Sequence, residues 1–172
     1  MYLLAMLLIA AASPSDDYGY PTKKGTAGVS INVSGQGDPT IGATYFLFND
    51  VAARIDFGLD APLTPSGAGQ NVLFSAAGAM RFYPLKHNHA ALFLQPSVTV
   101  GRENSPAVAA EAAFFFLFGA GVGVEYYFAS HFSVGAVLQL GLKFGNLIGP
   151  AGTPVYTTVS TATSGLSANI YF

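Results

Sequence analysis

The stretch Phe114-Phe115-Phe116-Leu117-Phe118-Gly119-Ala120-Gly121-Val122-Gly123-Val124-Glu125-Tyr126-Tyr127-Phe128 separates into two interleaved combs. Phe114, Phe116, Phe118, Ala120, Val122, Val124, Tyr126 and Phe128 are apolar or aromatic throughout. Phe115, Leu117, Gly119, Gly121, Gly123, Glu125 and Tyr127 are mostly small, with one carboxylate. Period two sends the combs to opposite faces of an extended chain, the pattern of a strand with two unlike faces. The apolar run at its centre, bracketed by Glu111 and Glu125 and cut by three glycines, is too short to cross a bilayer as a helix.

The same pattern recurs in both directions along the chain. Phe132, Val134, Ala136, Leu138, Leu140, Leu142 and Phe144 alternate with Ser133, Gly135, Val137, Gln139, Gly141, Lys143 and Gly145. Ala53, Ile55, Phe57 and Leu59 alternate with Arg54, Asp56, Gly58 and Asp60. Further strands are expected over 27–35, 41–48, 71–83, 91–101 and 158–172, making eight. Short turns are expected at 49–50, 84–90 and 129–131, and longer Gly/Pro/Ser segments at 36–40, 61–70, 102–111 and 146–156. Tight connections on one side and longer ones on the other are the layout of an outer-membrane barrel. Residues 42–50 also align without gaps on 123–131, so the repeating unit is a hairpin.

Composition decides which comb faces outward. The 172 residues make one domain, with charged residues at 9% and hydrophobic ones at 51%, against roughly 25% charged in an ordinary soluble domain. A soluble lipocalin-like barrel needs a charged exterior, whereas the polar comb here is mainly Gly, Ser, Thr, Ala and Asn. A barrel in lipid turns Phe, Leu, Val and Ile outward and packs small and ionisable groups inside. Closure also removes the strand edges that hydrocarbon cannot solvate. Net charge is −2 with scattered cations, which leaves no footprint for nucleic acid. Cys 0 excludes disulfides, thiolate metal sites and a cysteine nucleophile.

The unit Gly121-Val122-Gly123-Val124-Glu125-Tyr126-Tyr127-Phe128, its turn and Phe132-Ser133-Val134-Gly135, with the terminal Ser167-Ala168-Asn169-Ile170-Tyr171-Phe172, resemble the small bacterial outer-membrane β-barrel family. That family includes the OmpA transmembrane domain, OmpX and OmpW. The likeness spans 25–172 and implies an all-β, eight-stranded antiparallel up-and-down transmembrane barrel in the bacterial outer membrane. It also implies a monomer surrounded by outer-membrane lipid, with Ile170, Tyr171 and Phe172 read by the barrel-assembly machinery. No peptidoglycan-binding domain of the kind found in some members is expected after Phe172. Tyr45, Tyr126, Tyr127, Phe128 and Phe132 lie beside the short turns, where an aromatic girdle is expected. Trp 0 leaves that role to Tyr and Phe.

The apolar segment 2–12, followed by Ser13-Pro14-Ser15-Asp16-Asp17, reads as an export signal over 1–12 with no basic residue before its core, as in a signal truncated at its start. Residues 13–24 then form a polar lead. The mature chain is expected to begin near Ser13. N-terminal sequencing of membrane-extracted protein tests this, and recovery of intact Met1 would make the segment an anchor.

Five ionisable residues, Arg54, Asp56, Arg81, Glu125 and Lys143, fall on the small comb together with Asn32, Thr44, Gln95, Gln139 and Asn169. Buried charges seek partners, so arginine and carboxylate are expected to meet across a narrow lumen that side chains fill. Bulky lumenal groups such as Tyr83, Phe93, Phe115, Leu117 and Tyr127 add to that filling. Arg54, Arg81 and Glu125 are expected at similar depth near the short turns, with Glu125→Ala costing more stability than Glu111→Ala. No cofactor, metal or catalytic centre is expected. The glycines at 119, 121 and 123 lack the Lys-Ser/Thr and helix of a phosphate loop, and His87 with His89 lacks a third ligand. His131-Phe132-Ser133 resembles the His-x-Ser pair of barrel lipid A deacylases, but no carboxylate follows it in the chain. Three functional readings result: a structural or adhesive barrel with limited small-solute passage, a lipid A-modifying enzyme, and a lipocalin-like carrier.

Overall fold

Eight strands form because the alternating segments can bury one face only by curling it inward, and closure then satisfies every edge. The computed structural model describes residues 20–34, 39–60, 73–104, 112–145 and 156–172. The expected signal, residues 13–19 of the lead, Glu111 and most of the longer connections lie outside them. The strands are β1 (Ala27–Ser34), β2 (Pro39–Phe48), β3 (Val51–Asp60), β4 (Leu73–His87), β5 (Ala90–Asn104), β6 (Ala112–Ala129), β7 (Phe132–Gly145) and β8 (Tyr156–Tyr171). They close into one barrel in chain order, and β8 returns antiparallel to β1. Among the described residues no helix is long and apolar enough to cross a membrane.

Register fixes the tilt. A walk across the strands from Ser30 passes Gly42, Asp56, Ala77, Thr99, Leu117 and Lys143 to Thr158, yet Ser30 itself pairs with Asn169. That stagger requires strands inclined to the barrel axis. The wall is also uneven. β1, β2 and β3 have 8, 10 and 10 residues, while β6 has 18 and β8 has 16. β1 stops at Ser34 opposite Gly165, so residues 156–164 of β8 have no β1 partner among the described residues.

The turn expected at 84–90 is shorter than its sequence suggests. β4 continues to His87, and only Asn88 and His89 turn. Pro84 has no N–H for the ladder, and it sits where the register slips between Phe82 and Leu85, one of the few places a strand tolerates proline. Asp50 and Asn88 take positive φ values of 64° and 51°, which Asn and Asp accept more readily than most residues. β5 likewise runs on to Asn104, past the end expected at 101.

The apolar comb faces outward. Ile41 is 69% exposed, Phe57 60% and Phe128 62%, and these belong to a belt that continues round every strand. Tyr45, Tyr126, Phe128 and Phe132 lie in this belt near the short turns. Tyr126 packs edge-on against Phe128 at 5.0 Å, and Phe128 lies 5.7 Å from Phe132. Tyr127 does not join the girdle: it is 4% exposed and points inward, because parity places it opposite its outward neighbours Tyr126 and Phe128.

Candidate functional site

Four strands end in the same inward-outward-inward triplet. Thr44-Tyr45-Phe46 closes β2, Arg81-Phe82-Tyr83 lies near the end of β4, Glu125-Tyr126-Tyr127 near the end of β6, and Asn169-Ile170-Tyr171 ends β8. In each, the first and third side chains are buried and the middle one is exposed. The backbone repeats the pattern. The N–H groups of Phe46, Tyr83, Tyr127 and Tyr171 donate to the carbonyls of Thr26, Asp50, His89 and His131 at 2.9, 2.9, 2.6 and 2.9 Å. This sets the four aromatic rings in one layer across the short-turn end of the lumen.

The intervening strands make room for that layer. Gly28, Ala52, Ala91 and Ser133 are all buried and small. A Cβ at Gly28 would stand 2.7 Å from Tyr171 Cδ1, too close to fit. Phe46 lies 5.7 Å from Tyr83 and 6.2 Å from Tyr171, and Tyr127 lies 6.2 Å from Tyr171. The start of the chain's described part caps the layer. Tyr20 meets Tyr127 edge-on at 5.2 Å and donates to the Asn88 carbonyl, and partial burial raises its hydroxyl pKa above the usual value. Lys86 bonds Asp50 at 2.6 Å and lies 5.6 Å over the Tyr20 ring.

Directly inside the rings comes a polar layer centred on Glu125, which is fully buried. Its Oε1 accepts from Tyr171 at 2.5 Å, from Asn169 Nδ2 at 3.1 Å and from the Ser133 hydroxyl. Its Oε2 accepts from Tyr83 at 2.9 Å and from Arg81 Nη1 at 3.5 Å. Arg81 Nε donates to Gln95 at 2.7 Å, and its guanidinium sits 4.3 Å over the Phe93 ring. Arg54 holds Asp56 through Nε at 2.9 Å and reaches the Ser30 hydroxyl at 2.8 Å and the Asn32 side-chain Oδ1. Asn169 joins the halves, since its Oδ1 accepts from Arg54 Nη1 at 3.5 Å while its Nδ2 serves Glu125. Two guanidinium groups and two carboxylates thus share one hydrogen-bonded network with no net charge.

Lys143 lies on the inward comb but apart from this network. Its Nζ is 4.7 Å over the Phe115 ring, and its backbone pairs with Leu117, far along β6 from Glu125. Alternation alone gave it the same face without giving its height. Of the terminal residues, Ile170 and Phe172 are exposed, and Tyr171 points inward to Glu125. The His131-Phe132-Ser133 pair does not assemble. Ser133 is fully buried and bonds Glu125, whereas His131 Nδ1 donates to the Tyr171 carbonyl at 3.2 Å. His89 Nδ1 likewise donates to the Tyr127 carbonyl at 3.0 Å.

The repeated triplets at 81–83 and 169–171 escape a hydropathy reading, since their inward polar residues differ chemically. The signal that reveals them is positional: a buried aromatic two residues after a buried polar group, just before the turn-end contact. Among the described residues Tyr127 Oη has no hydrogen-bond partner. Burying an unpaired hydroxyl costs about 1–3 kcal/mol, so Tyr127→Phe is expected to leave unfolding stability in detergent unchanged or higher. A loss above about 1 kcal/mol would show that the hydroxyl is bonded.

No protein-family model matches the sequence, and no curated protein matches it at a significant level. Solved structures do resemble it, among them three small barrels. The N-terminal β-barrel domain of Pseudomonas aeruginosa OprF matches with a TM-score of 0.54 at 14% identity, covering 87% of this chain and 98% of that one. Neisserial surface protein A matches with a TM-score of 0.48 at 16% identity, covering 85% and 93%. Ail, the attachment invasion locus protein of Yersinia pestis, matches with a TM-score of 0.44 at 14% identity, covering 87% and 99%. In strand number, order and closure the chain has the fold of the small outer-membrane barrels, an all-β, eight-stranded antiparallel up-and-down barrel like that of the OprF N-terminal domain.

Proposed function

We propose that the protein is a non-conducting, non-enzymatic barrel of the bacterial outer membrane that acts through its four longer connections, in a structural or adhesive role. The observation that carries this reading is the aromatic layer backed by a neutral, saturated polar network, which closes one end of the lumen. The apolar outer belt supports a lipid environment and disfavours a soluble carrier. Burial of Ser133 behind the rings speaks against acyl transfer there. The polar lead after an export signal, the assembly role of the C-terminal residues and a monomeric state belong to the same proposal. Limited passage of small solutes would require the four rings to separate.

Planar-bilayer recording tests it. The unmodified protein is expected to give at most small, infrequent openings, and removing the rings in Tyr83→Ala/Tyr127→Ala should raise opening frequency. Large, stable steps from highly purified unmodified protein would overturn the closed reading. Heat-modifiable gel mobility in the outer-membrane fraction tests barrel and location together.

A further inference from the structure

Beyond the polar network the described side chains leave space in the lumen, short of the level where Lys143 lies over Phe115. Ala79 and Ser167 stand two residues inward from Arg81 and Asn169, where the side chains become small. A cavity of ≈ 230 Å³ opens there, floored by Arg54, Asp56 and Gln95 and walled by small side chains such as Ala77, Ser97 and Thr99. The same rings close this space on the short-turn side, so that among the described residues it forms a cup facing away from them.

The geometry points to this cup as a binding site for a small neutral polyol, the size of one sugar ring. Its chemistry excludes the main rivals. The floor's guanidinium groups are already bound, Arg54 to Asp56 and Arg81 to Gln95 and Glu125, so no net charge awaits an ionic ligand whose desolvation must be offset. A purely apolar ligand would cut the Asp56 carboxylate, which keeps 17% of its side chain accessible, and the wall hydroxyls off from water without replacing those bonds. A polyol replaces them. The hydroxyls of Thr40, Ser75 and Thr99 and the amide of Gln95 face the space with neutral donors and acceptors. The volume corresponds to roughly eight waters at ~30 Å³ each, the bulk of a single sugar ring. A free monosaccharide and the end residue of a glycan share this chemistry.

A chain with Cys 0 suits a direct test. Ala77→Cys and Ala79→Cys each place one thiol in the cup, and the labelling rate with a small neutral thiol reagent is measured in detergent with glucose, glucosamine, glucuronate or maltotetraose present. Glucose at ten times its dissociation constant is expected to slow labelling about tenfold at both positions by mass action, with glucosamine and glucuronate giving no protection at that concentration. Equal protection by maltotetraose supports a glycan end, and protection by glucose alone supports a free sugar. No protection by any neutral sugar, or equal protection by the charged analogues, overturns the proposal. Heat-modifiable mobility verifies the folding of each variant. If neither folds, calorimetric titration of the unmodified barrel with glucose decides, and absence of heat counts against the site. The cup rests on the sealed-end reading, whose own failure appears separately as large conductance.

Discussion

Glu125→Ala is expected to destabilise the barrel in detergent by about 3–5 kcal/mol, because removing one member of a buried ion pair leaves the other uncompensated. Here the loss extends further than one pair. Arg81 loses its carboxylate, and Tyr83, Ser133, Asn169 and Tyr171 each lose an acceptor in a region closed to water. Lys86→Ala provides the contrast. Its Asp50 partner is closer, at 2.6 Å against 3.5 Å for Arg81 and Glu125, but both side chains are about a third exposed, and such pairs contribute about 0–1 kcal/mol. Chemical denaturation of both variants gives the comparison, and a double-mutant cycle of Glu125→Ala with Arg81→Ala should show coupling above about 0.5 kcal/mol. Arg54 should couple more weakly, through Asn169 alone. If Glu125→Ala is as mild as Lys86→Ala and the cycle is additive, Glu125 does not organise the lumen.

Gly123→Ala, the smallest of substitutions, is expected to cost about 1–3 kcal/mol through overpacking. A Cβ there would collide with the Phe93 ring and stand 2.5 Å from the Ala136 carbonyl oxygen. Phe93 cannot yield freely, since it carries the Arg81 guanidinium on one face and packs against Tyr83 at 5.8 Å. The disturbance therefore passes into the ion network. Gly78 supplies the control on the outer face, where a Cβ would meet nothing within 4 Å. Gly78→Ala should be neutral or stabilising, by up to about 1 kcal/mol, as the unfolded chain loses freedom. Equal effects at the two glycines would mean that Phe93 does not lie over Gly123.

The barrel was legible in the sequence because period two needs no knowledge of partners: Phe114 to Phe128 states both faces by itself. Depth was harder. Lys143 and Glu125 share the inward comb, yet only register shows that one stands over Phe115 while the other is enclosed by the ring layer. Tyr127 suits both the lumen and the girdle in sequence, because aromatics beside turns fit either, and parity decides for the lumen. Pro84 read as a turn because proline breaks ladders, whereas here a register slip absorbs it. The joining role of Asn169 had no sequence signal, for an amide earns it only by standing between two charges brought together by closure.

In the lipid setting proposed above, the uneven wall of the described strands would have a mechanical consequence. On β6 the outward apolar face from Phe114 to Phe128 spans roughly 35 Å along the barrel axis, taking ~3.3 Å per residue and a tilt near 40°. On β2, from Pro39 to Phe48, the same estimate gives roughly 23 Å. A membrane with an apolar slab of uniform thickness cannot match both. It must thin beside the short strands, or the cylinder must lean toward them, each at a modest cost per ångström of mismatch. Lipids on the β1–β3 flank would then be compressed relative to those on the opposite side, giving the molecule a fixed orientation among its neighbours without any protein contact.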